Sequence, residues 1–373
     1  MGPLAGIRII EMKSIGPGPY AGMLLADLGA EVIVVERPAQ EQGIGLPPHQ
    51  DIHSRGKKSI VLDLKTDSGL AALLKLVETA DVLFEGNRPG VAERLGFGPN
   101  DCLQRNPRLI YGRLTGWGQS GPLAHAAGHD INYLSLTGAL AAIGGRDRPV
   151  PPLNLVGDYA GGSLFLVMGI LAALLEVRDS GEGQVIDTAI TDGSASLMSM
   201  FHGMDALGMW TNSREANLLD GGAHFYGVYE TADAKFVSIA PIEPQFYALF
   251  IEKAQLDPEF FEQQNDPGRW PELRAKLTDV FKTKTRDEWC SLFEGTDACF
   301  APVLDYREAP GHEHNEFRGT YVEIDGVTQP AVTPRFSRTE CELPFKPKGA
   351  GADTEELLAE IGMAISSPLP DTS

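Results

Sequence analysis

The chain has 373 residues, 43% hydrophobic and 22% charged, the composition of a globular protein long enough for two separate cores. Its net charge is −20, from 31 Lys and Arg against 51 Asp and Glu, which argues against nucleic acid or an anionic membrane as the main partner. The charge is uneven: residues 1–120 carry 13 basic and 13 acidic side chains, so the N-terminal third is the part suited to an anionic ligand. The four cysteines, Cys102, Cys290, Cys299 and Cys341, form no close metal-ligand pair and no disulfide framework, and a reducing, cytoplasmic setting is expected.

In chain order, Ile7–Met12 reads as a buried strand. Pro19–Leu28 reads as a helix with Pro19 in its first turn. Glu31–Glu36 completes a right-handed βαβ unit, which implies a parallel sheet. Ser59–Leu64, Asp81–Glu85 and Leu109–Leu114 read as further strands, with a helix over Asp67–Glu78. This alternation predicts an α/β fold with a Rossmann-like, doubly wound parallel sheet. Helices are expected over Ile131–Ile143 and Gly162–Val177, a strand from Gly183, and one helix over Gly193–Trp210 carrying four methionines. The apolar run Leu164–Leu175 is too short to span a bilayer and reads as a buried helix, and no stable membrane association is expected. Phe225–Glu230 and Lys235–Ala240 read as a hairpin, followed by helices over Pro244–Ala254, Trp270–Lys282 and Thr285–Glu294. A last helix is expected over Thr354–Met363, then a frayed Pro/Ser tail. The expected division is 1–190 as the large domain, 191–222 as a helical linker, 223–318 as a small α+β domain, and 319–373 as a return linker and C-terminal helix on the large domain.

Ile15-Gly16-Pro17-Gly18-Pro19 lacks the third glycine of a dinucleotide fingerprint, and its prolines remove backbone donors. A tight strand-to-helix turn is the expectation. Seven basic residues, Arg37, Arg55, Lys57, Lys58, Lys65, Arg88 and Arg94, fall near the carboxyl ends of the strands, where such sheets bind ligands. They suit a phosphorylated ligand as well as a solvated face. Gly128-His129-Asp130 and Asn154-Leu155-Val156-Gly157-Asp158 each place a titratable group in a turn ahead of an apolar helix. Asp130 can cap the helix at Ile131, and Asp158 can cap the one after Gly161-Gly162. The same groups could handle protons, and neither role is settled by the residues alone. His125 and His129 lack a third ligand, so no metal site is expected. Glu243 stands in a loop before Pro244.

Several stretches resemble the family III CoA-transferase superfamily: Glu11–Pro19, Leu25–Val32, Arg55–Lys65 and Arg88-Pro89-Gly90. Gly116–Gln119, Gly128–Tyr133, Asn154–Asp158 and Leu219–Ala223 resemble its α-methylacyl-CoA racemase members. The likeness runs from about Gly6 to Arg338. It implies the family III fold, an interlocked homodimer, and interconversion of (2R)- and (2S)-2-methylacyl-CoA thioesters by 1,1-proton transfer through an enolate. His129 and Asp158 would be the two acid/bases, with Glu243 of a partner subunit hydrogen-bonding His129. CoA and substrate contacts would fall on Arg37, Leu62, Asp63, Leu64, Lys65, Gly86, Asn87, Arg88, Arg94, Gly128, Asp130, Ile131, Asn132, Tyr133, Asn154 and Tyr226. CoA belongs to the substrate, and no separate cofactor or metal is implied. The alternatives are a CoA-transferase using Asp158 as nucleophile and a silent acyl-CoA-binding protein. Asn87, His224 and Lys13 depart from the pattern and bear on acyl specificity and CoA contacts.

Overall fold

The structure, a computed structural model, describes residues 2–38, 50–342 and 346–364, so the expected Pro/Ser tail lies outside the described residues. The described chain divides into two compact units. The first comprises residues 1–137, 153–197 and 319–373; the second comprises 138–152 and 198–318. The division differs from the expected one in giving 138–152 to the second unit and in leaving no separate linker over 191–222.

Six parallel strands form the sheet of the first unit: β1 (Arg8–Met12), β2 (Glu31–Glu36), β3 (Lys57–Val61), β4 (Val82–Glu85), β5 (Ile110–Thr115) and β6 (Val185–Ala189). Their order is β3-β2-β1-β4-β5-β6, so the direction of winding reverses beside β1. Such a reversal opens a crevice at the strands' carboxyl ends. The inner strands are apolar on both sides because helices cover both faces. Successive residues alternate between two cores: Ile9, Val32 and Val82 lie in one, and Ile10, Ile33 and Leu83 in the other. Full burial of each such side chain contributes about 1.5–3 kcal/mol.

The helix Pro17–Asp27 supplies Ala21 and Leu25 to the first core, with Pro17 rather than Pro19 opening it. Asp67–Val77 covers the second core with Leu73, Leu76 and Val77, and starts where the Thr66 side chain accepts the Gly69 N–H. The C-terminal helix Thr354–Glu360 adds Leu357 and Leu358 to that core. Ahead of it, the Asp353 carboxylate accepts the Ser59 N–H at 3.0 Å, covering the edge of β3.

Two expected helices are broken. Ile131–Ile143 divides into Asp130–Ser135 and Ala139–Ala142, because Gly138 between them has φ 83°. Gly193–Trp210 divides into Ile190–Leu197 and Ser199–Ala206. Conversely, the expected Gly162–Val177 helix is longer. A π-helix over Leu155–Leu164 runs directly into an α-helix over Phe165–Ser180. The combined helix has 26 residues, and its most apolar 18-residue window has a mean hydropathy of 2.0, enough by length and composition to cross a membrane, although the apolar run Leu164–Leu175 is only part of it. One stripe of it, including Leu166, Ile170 and Leu174, is buried in the first core, as a sheet-covering helix requires. Leu164, Met168 and Leu175 on its other side are exposed.

The second unit contains a three-stranded antiparallel sheet: β7 (Gly227–Glu230), β8 (Phe236–Ile239) and β9 (Phe300–Val303), in the order β7-β8-β9. The helices Pro244–Lys253, Trp270–Phe281 and Arg286–Phe293 pack a core rich in aromatic residues, among them Phe250, Phe281, Trp289 and Phe293. The expected hairpin about Ala232-Asp233-Ala234 is present, with Ala234 at φ 57°.

Candidate active site

Four of the seven basic residues at the strand ends face a cavity, and three do not. Arg55 is buried and donates to both carboxylate oxygens of Asp27, at 3.0 and 2.5 Å. Lys57 is buried and donates to Glu11 Oε2 at 2.6 Å. Lys58 pairs with Glu31 and Glu356. These three therefore neutralise acids of the fold, and the ligand-facing expectation is corrected for them. Arg37, Lys65 and Arg94 line a cavity of about 460 Å³ that also exposes Leu62, Asp63, Leu64 and Asn87. Lys13 lines it as well, its Nζ 3.9 Å from Glu36. Three cations, a fourth in Lys13 and apolar walls make this cavity a fit for a phosphorylated ligand with a flat, weakly polar part.

Asn87 also lines a second cavity, of about 480 Å³, in the same unit. Its backbone N–H donates to Glu85 Oε2 at 2.5 Å, and Glu85 is itself paired with Arg113, so the loop after β4 is anchored between the two cavities. The second cavity is lined by Gly86, Arg88, Gly128, His129, Asp130, Tyr133 and Asp158.

His129 is exposed and occupies the cap position of the Asp130–Ser135 helix. Its backbone N–H donates to Asn132 Oδ1 at 3.0 Å. The cap is thus one residue earlier than expected, and Asp130 is already in the helix. Tyr133 lies edge-on to Trp117, ring centroids 4.8 Å apart, and its hydroxyl donates to the Gly128 carbonyl. That bond ties the helix back onto the turn that carries His129. Ile131 is an exposed side chain of this helix.

Asp158 lies within the π-helix instead of capping a helix after it. Its carboxyl is pushed up to about 6, first by burial and then by the nearby charge of Asp130; a hydrogen bond from Asn154 and the proximity of His129 pull the other way. The π-helix widens each turn, and such turns recur at functional sites. Gly16, at φ 77°, comes so close that a Cβ there would lie 3.3 Å from Asp158 Oδ2. The Ser14–Gly18 loop, expected only as a tight turn, therefore forms a wall of this cavity. Thr115, Trp117 and Ala124 line it too and carried no signal in the sequence beyond the resemblance.

Glu243 and Tyr226 belong to the second unit and line neither cavity. Glu243 is exposed, immediately ahead of the Pro244–Lys253 helix. His224 is fully buried in that unit's core, 2.7 Å from the Tyr247 hydroxyl, and burial pushes its imidazole down to about 3. It is a packing residue. Among the described residues, no group of three or more His, Cys, Asp or Glu side chains could hold a metal ion.

The sequence matches the family model described as CoA-transferase family III over residues 4–354. The chain belongs to this family. It is 44% identical to α-methylacyl-CoA racemase of Mus musculus, over 97% of this chain and 94% of that protein. It is 32% identical to acetyl-CoA:oxalate CoA-transferase of Acetobacter aceti, over 90% of each. The crystal structure of a CaiB/BaiF family protein from Brucella suis superposes with a TM-score of 0.80 at 25% identity, covering 96% of this chain and 99% of that one. The six-stranded sheet and the smaller α+β unit are thus the architecture of CoA-transferase family III.

Proposed function

We propose that this chain is an α-methylacyl-CoA racemase, interconverting (2R)- and (2S)-2-methylacyl-CoA thioesters. The observation that carries the reading is the pairing of His129 with a proton-holding Asp158 on one cavity, beside a second cavity lined by cations. The likeness to the mouse racemase over nearly the whole chain supports the same reading.

A thioester carbonyl acidifies its α-C–H only weakly, so removal of the proton needs a placed base and a stabilised enolate oxygen. In one direction neutral His129 takes the α-proton, and protonated Asp158 delivers one to the opposite face. In the other direction the Asp158 carboxylate is the base and protonated His129 the acid. Both directions use the pair carrying one proton in total. A carboxyl that titrates near 6 is suited to both states, whereas an ordinary aspartate would hold a proton too rarely near neutral pH. The enolate oxygen accepts the backbone N–H of Asp130 at the helix start, where N–H groups have no carbonyl one turn back; one such donor is worth roughly 3–4 kcal/mol. Arg37, Lys65 and Arg94 hold the phosphates of the CoA moiety, and Leu62 and Leu64 flank its flat base. Glu243, from the small unit of a partner subunit, holds His129 in position. The chemistry uses acid, base and oxyanion donor, and calls on no cofactor beyond the CoA of the substrate.

A single enantiomer of a 2-methylacyl-CoA incubated in D₂O without acceptor acid tests the reading. Racemisation with deuterium at the α-carbon is expected. No exchange, with CoA transfer once a carboxylic acid is added, would instead make Asp158 a transferase nucleophile and overturn it.

A further inference from the structure

One acidic side chain at the site is unused by the mechanism above. The Asp130 carboxylate reaches the first turn of the π-helix. Its Oδ1 accepts the backbone N–H of Asp158 at 2.7 Å, and the Gly157 N–H also donates to this carboxylate. Gly157 is fitted to that approach: a Cβ there would collide with Asp130 Oδ1, so a side chain would force the two elements apart.

We propose that Asp130 is a positioning residue that fixes the separation of the two bases, because its carboxylate binds the backbone of Asp158 while its own backbone continues directly from His129. The inference rests on the racemase reading. The two bases, His129 and Asp158, lie on different segments, 29 residues apart, and must face opposite sides of one carbon. Asp130 is covalently the neighbour of one and hydrogen-bonded to the main chain of the other. Movement of either helix start therefore has to break this link. The link differs from the N–H of Asp130 that serves the enolate, because it resides in the side chain and can be altered while that N–H remains.

The same carboxylate also acts through its charge. Burial pushes Asp130 itself up, opposed by its two N–H donors, and its negative charge raises Asp158. The other groups facing Asp158 from that helix are His129 and Tyr133, with Arg88 of the loop after β4 acting on Tyr133. The Ile190–Leu197 helix packed on the π-helix carries one acid, Asp192, and it is exposed. The Pro17–Asp27 helix carries Tyr20, directed at Tyr159, and Asp27, paired with Arg55. In the following α-helix Glu176, Arg178 and Asp179 lie at the far end. Asp130 is thus the acid placed to act on Asp158.

Two variants separate the link from the charge. Asp130→Asn keeps an oxygen acceptor of the same size but no charge, and Asp130→Ala removes both. Turnover of each enantiomer is measured across pH with the full-length protein, beside the wild type in D₂O. Asp130→Ala is expected to lose about 30-fold or more in kcat in both directions, with KM changed less than about threefold. Asp130→Asn is expected to recover most of that loss, with the acid limb of its bell-shaped profile moved to lower pH by about half a unit or more. A passive structural role would leave the limb where it is. If Asp130→Ala does not fold, the Asp130→Asn profile decides alone. Kinetics of Asp130→Ala within twofold of wild type, or an unmoved acid limb in Asp130→Asn, would overturn the inference. A wild type without α-exchange would overturn the racemase reading first, a failure visible before either variant is compared.

Discussion

The Asp158 carboxyl titrates near 6, against an ordinary value of 3.8, and that difference bears on stability as well as on proton transfer. In the unfolded chain it ionises near its ordinary value. Between about pH 4 and 6 the folded state therefore binds more protons, and folding loses stability as pH rises through that window. Above it the loss is complete, at most about 3 kcal/mol and less in practice because part of the carboxyl meets solvent. Asp158→Asn should accordingly unfold at higher urea than the wild type at pH 7.5. The gap should close toward pH 4.5, while racemisation is lost. A variant equally stable at both pH values would mean that Asp158 is not held proton-bound. His129→Ala should lose about 10²–10⁴-fold in turnover while still binding a 2-methylacyl-CoA, which equilibrium dialysis or calorimetry would show. Near-normal turnover in that variant would remove His129 from the mechanism. His129 is exposed and Asp158 half-buried, so the two groups sit in different surroundings.

At the scale of elements, the buried pairs set what the sequence can and cannot reveal. Glu31–Glu36 is legible as a strand because a run of four β-branched residues suits a strand buried on both faces, and its bounds agree with the structure. The π-helix is not legible: Asn154–Gly161 has no periodicity to announce a widened turn, so Asp158 reads as a cap when it lies inside the helix. Lys57 and Arg55 read as ligand-facing because their counter-ions, Glu11 and Asp27, are 46 and 28 residues distant and on other elements. No local pattern carries that pairing. The proximity of His129 to Asp158 was available only through the family resemblance, for the same reason. The Lys57–Glu11 pair yields a direct test, because breaking a buried pair leaves an uncompensated charge. Lys57→Met should cost about 3–5 kcal/mol in urea unfolding, whereas Lys57→Met with Glu11→Met should recover most of it. Equal losses in the single and double variants would place the cost in packing against the Pro19 carbonyl and its helix instead.

For the whole molecule, the proposed reading pairs the chain with a second copy of itself. The overall charge of −20 argues against polyanions as partners, yet the first unit places cations at one cavity, as suits an anionic small molecule. The helix over Phe165–Ser180 leaves Met168 and Leu175 exposed, and Leu197, Met200 and Met209 add further exposed apolar side chains. In the homodimer that the racemase reading proposes, a second copy of the chain would cover exposed apolar side chains of this kind. If Glu243 of one subunit completes the site around His129 of the other, inactive variants can repair one another. His129→Ala and Glu243→Ala homodimers would each lack a member of every site. Unfolding them together and refolding gives about half heterodimers, each with one site carrying both substitutions and one carrying neither. About a quarter of wild-type racemisation should then return, although neither parent is active. Recovery at that level requires the two residues to act across the subunit boundary. If His129 and Glu243 act within one subunit, every site in the mixture retains one substitution, and no activity returns.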